Sequence, residues 1–261
     1  MNEYNTKIGI IDQFIYAVSK MKEYPSLIKQ GTGRVLSFAF LMTMLLTSIN
    51  FVIPLLGYQL SFGGFENFFL HKIPEFTIKN GQMEMDGKLD MNLLGLSVVV
   101  DSEQEQYTEQ DLDENALAQV MISKNNIMIK NIFQVVDIPL KYMSHITINN
   151  QSLVKLIPYI YVMELITIGM MLAMEFFNYL VGAIGYACVG LSFVSLRPSL
   201  ALNFKDLIKI GIYCKVLSAF IGAINEGFGF VIELGYWHTI GMFISFAYLI
   251  KAITLYETKK D

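Results

Sequence analysis

An uncharged apolar stretch, from Val35 to Leu60, is the feature that most restricts what this chain can fold into. It exceeds the roughly 20 apolar residues that cross the hydrocarbon core of a bilayer. Across the chain 54% of residues are hydrophobic and only 16% are charged, a balance that excludes an ordinary soluble domain. The stretch begins too late, is too long and lacks a following small-residue cleavage site, so it is not a signal peptide. We therefore predict a retained transmembrane helix over residues 34–60.

The C-terminal part of the chain, residues 152–261, is predicted to form a membrane domain that ends in a short cytoplasmic tail. Its three further spans are expected at approximately 170–196, 208–227 and 229–250. The apolar block at 153–196 is 44 residues long and has room for two spans. Two spans would place the basic residues after it outside the cell, against the tendency of Lys and Arg to stay inside. We expect a single pass through the second half of the block, with the part around Pro158 to Gly169 above the membrane or along its outer surface. Four spans are predicted in all, and five remain the alternative.

The distribution of Lys and Arg predicts the orientation of these spans. Residues 1–34 hold five basic and three acidic residues, and residues 197–209 hold three and one. The tail from Lys251 holds three and two, whereas residues 61–151 hold six and thirteen. Basic clusters close to membrane ends belong in the cytoplasm. The sequence therefore predicts a multi-pass protein of the cell membrane with both termini in the cytoplasm and residues 61–151 outside.

The segment "IPEFTIKNGQMEMDG", residues 73 to 87, predicts a β-hairpin in this outer part. Asn80-Gly81 is the preferred pair for a two-residue type I′ turn, because both central positions need a positive φ. With the turn placed there, two apolar pairs share one face and two polar pairs share the other. These pairs are Ile78 with Met83, Phe76 with Met85, Thr77 with Glu84, and Lys79 with Gln82. Turn and alternation predict the same register.

The remainder of residues 61–151 is expected to complete a small extracytoplasmic α+β domain between the first and second spans. "LSVVVD", residues 96 to 101, is a strand candidate because it is rich in β-branched residues. "VMISKNNIMIK" predicts a second hairpin that turns at Asn125-Asn126 and pairs Ile122 with Ile129. Glu109 to Val120 are expected to form a helix. The acidic residues from 101 to 113 lack the glycine and terminal glutamate of an EF-hand loop, so a solvated acidic surface is expected there.

Residues 1–33 are predicted to form a cytoplasmic amphipathic helix. Apolar residues recur in it at helical spacing beside Lys20 and Lys22, namely Ile11, Phe14, Ile15, Val18 and Met21. Such a helix lies along the inner membrane surface or packs against the cytoplasmic ends of other helices. The sequence leaves both arrangements open.

Ionisable residues inside apolar spans are candidates for function. At about 1.5 Å rise per residue, Glu175 lies roughly 31 Å from Leu196 and Glu233 roughly 25 Å from Ile250, so both reach the outer interface. Glu226 falls in the short outer turn.

We predict a polar cluster at the outer interface, formed by Glu175, Glu226, Glu233 and His238. It suits a cation, a lipid headgroup or the basic patch of a partner, with His238 as a titrating neighbour. The alternative is that these carboxylates simply reach water. Lys215 can extend towards the cytoplasm and need not pair with Glu175, which is expected at another depth.

Several segments together resemble domain-of-unknown-function family 1189. They are "FIYAVSKMKEYPSLIKQGTGR" before the first span, "IPEFTIKNGQMEMDG" and "VVVD" in the outer part, and "LNFKDLIKIGIYCKVLSAF" after a basic loop. The resemblance covers nearly the whole chain. It implies a Gram-positive integral membrane protein, and some members are labelled maltodextrin-utilisation proteins because they accompany sugar importers. It implies no catalytic residues.

The sequence favours a non-enzymatic function without a cofactor. It has neither metal-ligand spacing, a phosphate-binding glycine loop, nor a nucleophile and base at a spacing that chemistry requires. We expect an accessory or scaffold protein that contacts the lipid bilayer and a membrane partner such as a sugar-importer permease, and no nucleic acid. The alternatives are an envelope ligand-binding or sensing protein and a small transporter. A transporter should have a water-accessible cavity around residues such as Asn178 and Tyr186.

Overall fold

The computed structural model of the protein describes residues 7–93, 96–197, 200, 202–229 and 231–258. The predictions for the first six and last three residues lie outside this part. The described chain is mostly helical. Its α-helices are α1 (Ile10–Ser19), α2 (Tyr24–Ile28), α3 (Thr32–Thr47), α4 (Ile53–Ser61), α5 (Gly64–Asn67), α6 (Asn150–Val154), α7 (Ile157–Ser195), α8 (Phe204–Cys214), α9 (Val216–Gly227) and α10 (Leu234–Thr258).

Four of the described helical segments are long and apolar enough to cross a membrane. They are Thr32–Ser61, Ile157–Ser195, Phe204–Gly227 and Leu234–Tyr256. The first joins α3 to α4 through a π-helical turn, and the third joins α8 to α9. The prediction of four long apolar helices is confirmed. Because α7 runs without a break from Ile157 to Ser195, the block predicted to hold one or two spans contains a single helix.

The chain divides into two compact units, which we call the helical unit and the sheet unit. The helical unit comprises the described residues up to Leu56 and from Glu164 onward, and the sheet unit comprises Gly57–Met163. The core of the helical unit contains Phe38, Leu207 and Leu249, together with the small residues Ala183 and Ala187 of α7. Small residues let helices approach closely. The clearest case is Gly211, where an added Cβ would overlap the Ala183 carbonyl oxygen.

The N-terminal segment packs against α8 and α10 in the helical unit. The Tyr24 hydroxyl donates to the Tyr213 carbonyl at 3.2 Å, and the Tyr213 hydroxyl donates to Gln13 at 2.7 Å. The Tyr248 hydroxyl of α10 donates to the Val18 carbonyl at 2.7 Å. Ile11, from the predicted apolar stripe, is 76% exposed, so part of that stripe faces away from the core.

The described residues of the sheet unit form eight strands, all between α5 and α6. They are β1 (Phe76–Lys79), β2 (Gln82–Met85), β3 (Lys88–Leu93), β4 (Leu96–Asp101), β5 (Ala118–Ile122), β6 (Asn126–Lys130), β7 (Val135–Pro139) and β8 (Ile148–Asn149). One sheet has the order β2-β1-β8 and the other the order β3-β4-β5-β6-β7, with β4 and β5 parallel. The predicted β1–β2 hairpin is confirmed in all four of its pairs, and the predicted strand at 96–101 is β4. In the turn of the β1–β2 hairpin, Asn80 has the positive φ of 56° that a type I′ turn needs.

Two predictions for the sheet unit are wrong. The second hairpin pairs Ile122 with Ile127 instead of Ile129, because Asn126 belongs to β6 and not to the turn. The Asn126 side chain is buried, where it accepts from the Tyr107 backbone amide at 3.0 Å and donates to the Tyr107 carbonyl at 2.9 Å. The predicted helix from Glu109 to Val120 is only one 3-10 turn, since its last residues form β5 and pair with β4.

Replacing Gly81 by alanine is predicted to weaken the first hairpin. Gly81 has a φ of +77°, and an added Cβ would lie 2.8 Å from the backbone Cα of Lys141. We expect a loss of about 2–4 kcal/mol in the local opening free energy, from the left-handed backbone and the overlap together. Amide hydrogen exchange of β1 and β2 in the full chain measures it. Gly87→Ala is the matched control, because Gly87 has a φ of +93° with nothing near an added Cβ, and its loss should be smaller. Equal losses would contradict the contact with Lys141.

Candidate functional site

The helical unit contains a polar cavity of about 370 Å³. Its walls come from the end of α3 and the following π-helical turn, and from α7, α9 and α10. Polar side chains in a cavity among apolar helices are costly unless they have hydrogen-bond partners. The charged and hydrogen-bonding side chains in its lining are Asn50, Glu175, Asn178, Tyr179, Tyr186, Lys215, Ser218, Glu226, Trp237, His238 and Ser245.

Lys215 occupies the break between α8 and α9. Its Nζ donates a hydrogen bond to the Tyr179 carbonyl of α7 at 3.0 Å and lies 4.5 Å from the centroid of the Tyr179 ring. Carbonyl and ring face both attract a cation. Gly182 leaves room for the ammonium group beside α7, because an added Cβ at this position would overlap the Lys215 Nζ. The ammonium group has thus one carbonyl partner and keeps further donor capacity at the cavity.

Glu226 and Asn50 form a second polar contact in the lining. Asn50 lies in the π-helical turn Ser48–Val52, and its Nδ2 donates to Glu226 Oε2 at 2.6 Å. A π-helical turn accommodates one extra residue and often marks a functional site in a helix. The Asn50 Oδ1 is buried and accepts no hydrogen bond from the described residues. This leaves a buried acceptor beside a carboxylate.

Hydroxyl groups line the cavity between α7, α9 and α10. The Ser218 and Ser245 oxygens are 2.6 Å apart, and the Ser218 hydroxyl also donates to the Lys215 carbonyl at 3.0 Å. Tyr186 of α7 lines the cavity as well. These groups extend the polar lining along α7 beyond Lys215.

Trp237 closes one wall of the cavity against α9. An added Cβ at Gly222 would lie 2.5 Å from the Trp237 Nε1, so only glycine lets the indole ring lie there. The ring is 8% exposed. His238 follows it, with Nδ1 at 3.0 Å from the Leu234 carbonyl. Its Nδ1 therefore donates to that carbonyl, and Nε2 stays open for another partner.

Three of the four residues in the predicted polar cluster line this cavity, namely Glu175, Glu226 and His238. Glu233 is exposed and does not belong to the lining, although its carbonyl accepts from the Trp237 amide at 3.0 Å. Among the described residues, no group of three His, Cys, Asp or Glu side chains is arranged to hold a metal ion.

The structure places the Lys215 side chain against α7, without an ion pair to Glu175. Its ammonium group lies against Tyr179, one helical turn from Glu175, because Gly182 opens a space on α7 and the Tyr179 carbonyl offers an acceptor. Sequence reasoning missed Asn50, Ser218 and Ser245, whereas Asn178 and Tyr186 were named as cavity residues of a transporter and do line the cavity. A charged residue near the middle of the Phe204–Gly227 segment was the available signal for Lys215.

A family profile described as a protein of unknown function, DUF1189, matches residues 11–253 of the chain. The chain belongs to the DUF1189 family. This confirms the resemblance drawn from the sequence. No curated protein matches the chain, and no solved structure does. The association with sugar import stays a prediction.

The cavity of this DUF1189 protein presents one ammonium group and two carboxylates. Within the described chain, Lys215 forms no ion pair with Glu175 or Glu226. Each charged group therefore retains hydrogen-bonding capacity towards a further partner. A ligand with charges of both signs would satisfy the ammonium group and the carboxylates together.

Replacing Gly182 by alanine is predicted to displace the Lys215 ammonium from the Tyr179 carbonyl. We expect a loss of about 1–2 kcal/mol in the free energy of unfolding, from the lost hydrogen bond and cation–π contact. Thermal unfolding of the detergent-purified full chain measures it. Gly185→Ala is the matched control, since nothing lies within 4 Å of an added Cβ there.

A double-mutant cycle isolates the contact. In a Lys215→Met background, Gly182→Ala should cost no more than Gly185→Ala. If Gly182→Ala costs the same with and without the lysine, the proposed contact is not the cause.

Proposed function

We propose that this DUF1189 protein is a four-span protein of the cell membrane that binds a small charged ligand within its helical unit. The observation that carries the proposal is the convergence of Lys215, Glu175 and Glu226 on one cavity among helices that are otherwise apolar. Ionisable groups at membrane depth are expensive and usually serve a ligand, a proton path or a partner. The site binds and does no chemistry in this proposal, which includes no cofactor.

Both termini are cytoplasmic in this proposal, and the sheet unit is extracytoplasmic. The Lys and Arg counts of the terminal segments and of the 197–209 loop support this orientation. α7 has 39 residues, about 58 Å at 1.5 Å per residue, against a hydrocarbon core of about 30 Å. Its C-terminal part makes the pass, and its first turns extend beyond the core. The cavity then lies between the outer interface and the middle of the bilayer.

The N-terminal segment supports a sensing form of the proposal. Tyr213 lies two residues before Lys215, and its buried side chain and carbonyl hold Gln13 and Tyr24. A ligand that moves Lys215 would shift the α8–α9 junction that carries Tyr213. The cytoplasmic segment is thus tied to the cavity through one short piece of backbone.

Access of water to the cavity tests the proposal. In a Cys188→Ser background, Asn178→Cys should react with a membrane-impermeant, positively charged thiol reagent added from outside intact cells. Cys188 is exposed, whereas Cys214 is buried and should stay unreactive. Ile184→Cys is the control, because Ile184 is 44% exposed on the apolar surface of α7 and would face lipid. Equal labelling of both positions, or of neither, would contradict a water-accessible cavity within a membrane protein.

An accessory role is a second candidate, supported by an exposed apolar tip in the sheet unit. Ile132 and Phe133, between β6 and β7, are 74% and 93% exposed. The Asn131 Oδ1 accepts from the backbone amides of Phe133 and Gln134, both at 2.9 Å, and fixes the tip. Rigid exposed aromatic residues are typical of binding surfaces. A membrane partner such as a sugar-importer permease is the proposed occupant.

Replacing both tip residues by serine is predicted to remove that partner. Brief crosslinking in native membranes, mild-detergent purification and mass spectrometry should recover one transporter's subunits with the wild type and lose them with Ile132→Ser/Phe133→Ser. Tyr142→Ser is the control, because Tyr142 is 73% exposed on the same unit but lies away from the tip in sequence. Identical recovery with all three proteins would contradict the accessory role of the tip.

A further inference from the structure

An apolar groove of about 550 Å³ adjoins the polar cavity. α7 and α10 form it, and its lining consists of Gly182, Gly185, Tyr186, Val189, Met242, Phe243 and Phe246. Tyr186 and Met242 line the polar cavity as well. The two spaces therefore adjoin at Tyr186 and Met242, and together they offer a polar surface and an apolar surface to the two ends of one molecule.

The order of groups along α7 shows which end is which. Glu175 comes first, then Tyr179 with the Lys215 ammonium, and the apolar groove then runs along α7 from Gly182 to Val189. At about 1.5 Å per residue, the Lys215 contact at Tyr179 lies roughly 6 Å along the helix from Glu175. Carboxylates, ammonium, hydroxyl groups and apolar side chains thus follow one another along one helix.

This order is complementary to a particular class of amphiphile. The headgroup of this amphiphile is an ammonium group linked by two carbons to a phosphate diester. Its ammonium group would meet the carboxylates of Glu175 and Glu226, and the free Asn50 Oδ1 would be a further acceptor. The phosphate would meet the Lys215 ammonium within a few ångströms of that point. Glycerol and ester oxygens would reach the hydroxyl groups of Tyr186 and Ser245. The acyl chain would fill the groove.

Other ligand classes satisfy fewer of these groups. A purely anionic headgroup would meet Lys215 but be repelled by two carboxylates. A soluble amine or sugar would leave the groove without an occupant. In the proposed orientation Glu175 is near the outer interface and the groove is deeper. A lipid of the outer leaflet would therefore bind with its headgroup towards the interface and its acyl chain towards the bilayer centre, as it lies in the bilayer.

We propose that the polar cavity and the apolar groove together bind one aminophospholipid, with the headgroup between Glu226 and Lys215 and an acyl chain between α7 and α10. This inference rests on the proposed ligand-binding function and names the ligand class for the same site.

The single tryptophan of the chain makes the proposal measurable. Trp237 is the only tryptophan and lies in the cavity lining. The full chain would be reconstituted in unlabelled phosphatidylglycerol bilayers that contain a small, equal fraction of phosphatidylethanolamine or phosphatidylglycerol with brominated acyl chains. Bromine quenches tryptophan fluorescence on contact. We expect the brominated phosphatidylethanolamine to reach half-maximal quenching at about tenfold lower mole fraction, the effect of one charge-assisted hydrogen bond.

Variants separate the parts of the site. Glu226→Gln should remove the preference for the ethanolamine headgroup, and Gly185→Leu should weaken quenching by filling the groove, where nothing lies within 4 Å of an added Cβ. Glu233→Gln is the matched control, because this exposed carboxylate lies outside the cavity lining, and it should leave quenching unchanged. Equal quenching by both brominated lipids in the wild type would overturn the proposal.

A competition experiment distinguishes a lipid from a soluble ligand. Soluble phosphoethanolamine, added at the same total concentration as the brominated phosphatidylethanolamine, should fail to relieve the quenching. It has the headgroup but lacks the acyl chain. If it displaced the lipid fully, the site would belong to a soluble zwitterion and the lipid assignment would fall. Labelling of Asn178→Cys would still stand in that case, so failure of this inference is distinguishable from failure of the proposed function.

Discussion

The hydrogen bond from the Lys215 ammonium to the Tyr179 carbonyl is the interaction on which the helical unit depends. A lysine side chain between apolar helices is costly unless its charge is compensated. Here the compensation is a carbonyl dipole and a ring face, without an ion pair. Three features of the chain accompany it: the helix breaks at Lys215, α7 has glycine at position 182, and the Tyr179 hydroxyl donates to the Ile212 carbonyl at 2.7 Å.

Close helix contacts surround the cavity and keep it open. Gly211 allows α8 to contact the Ala183 backbone, and Gly222 allows the Trp237 ring to lie against α9. Gly227 brings the end of α9 within reach of the Ile49 carbonyl in the π-helical turn, with 3.1 Å between that oxygen and an added Cβ. Small residues thus let these helices contact one another closely, while long polar side chains line the space between them. The same frame positions the carboxylate of Glu226 beside Asn50.

Much of the fold could be predicted from the sequence, where local signals and long-range contacts agree. The β1–β2 hairpin has both a turn pair and alternating faces, and its register is confirmed. The β5–β6 register is two residues off the prediction, because the buried Asn126 side chain bonds to Tyr107, a contact that no local pattern reports. A helix was predicted for the segment from Glu109 to Val120, yet the end of this segment pairs in parallel with β4 and forms a strand. Tertiary contacts override propensity in both cases.

The candidate site could be predicted only in part. Counting residues from the span end put Glu175 at the outer interface, the position of Glu226 in the outer turn put it there as well, and both line one cavity. The same counting gives the height of the Lys215 backbone but not the direction of its side chain, which depends on Gly182 of another helix. Asn50 gave no signal because a π-helical turn has no sequence pattern of its own. Helix-to-helix complementarity decides these positions, and it becomes visible only once the helices are packed.

The most direct test is a high-resolution structure of the full chain in a lipid environment, with attention to the Lys215 side chain. Our account predicts that its ammonium group lies at the Tyr179 carbonyl, and that elongated density runs from beside Glu226, past Lys215, into the groove between α7 and α10. A Lys215 side chain that turns away from Tyr179, with the cavity collapsed, would contradict it.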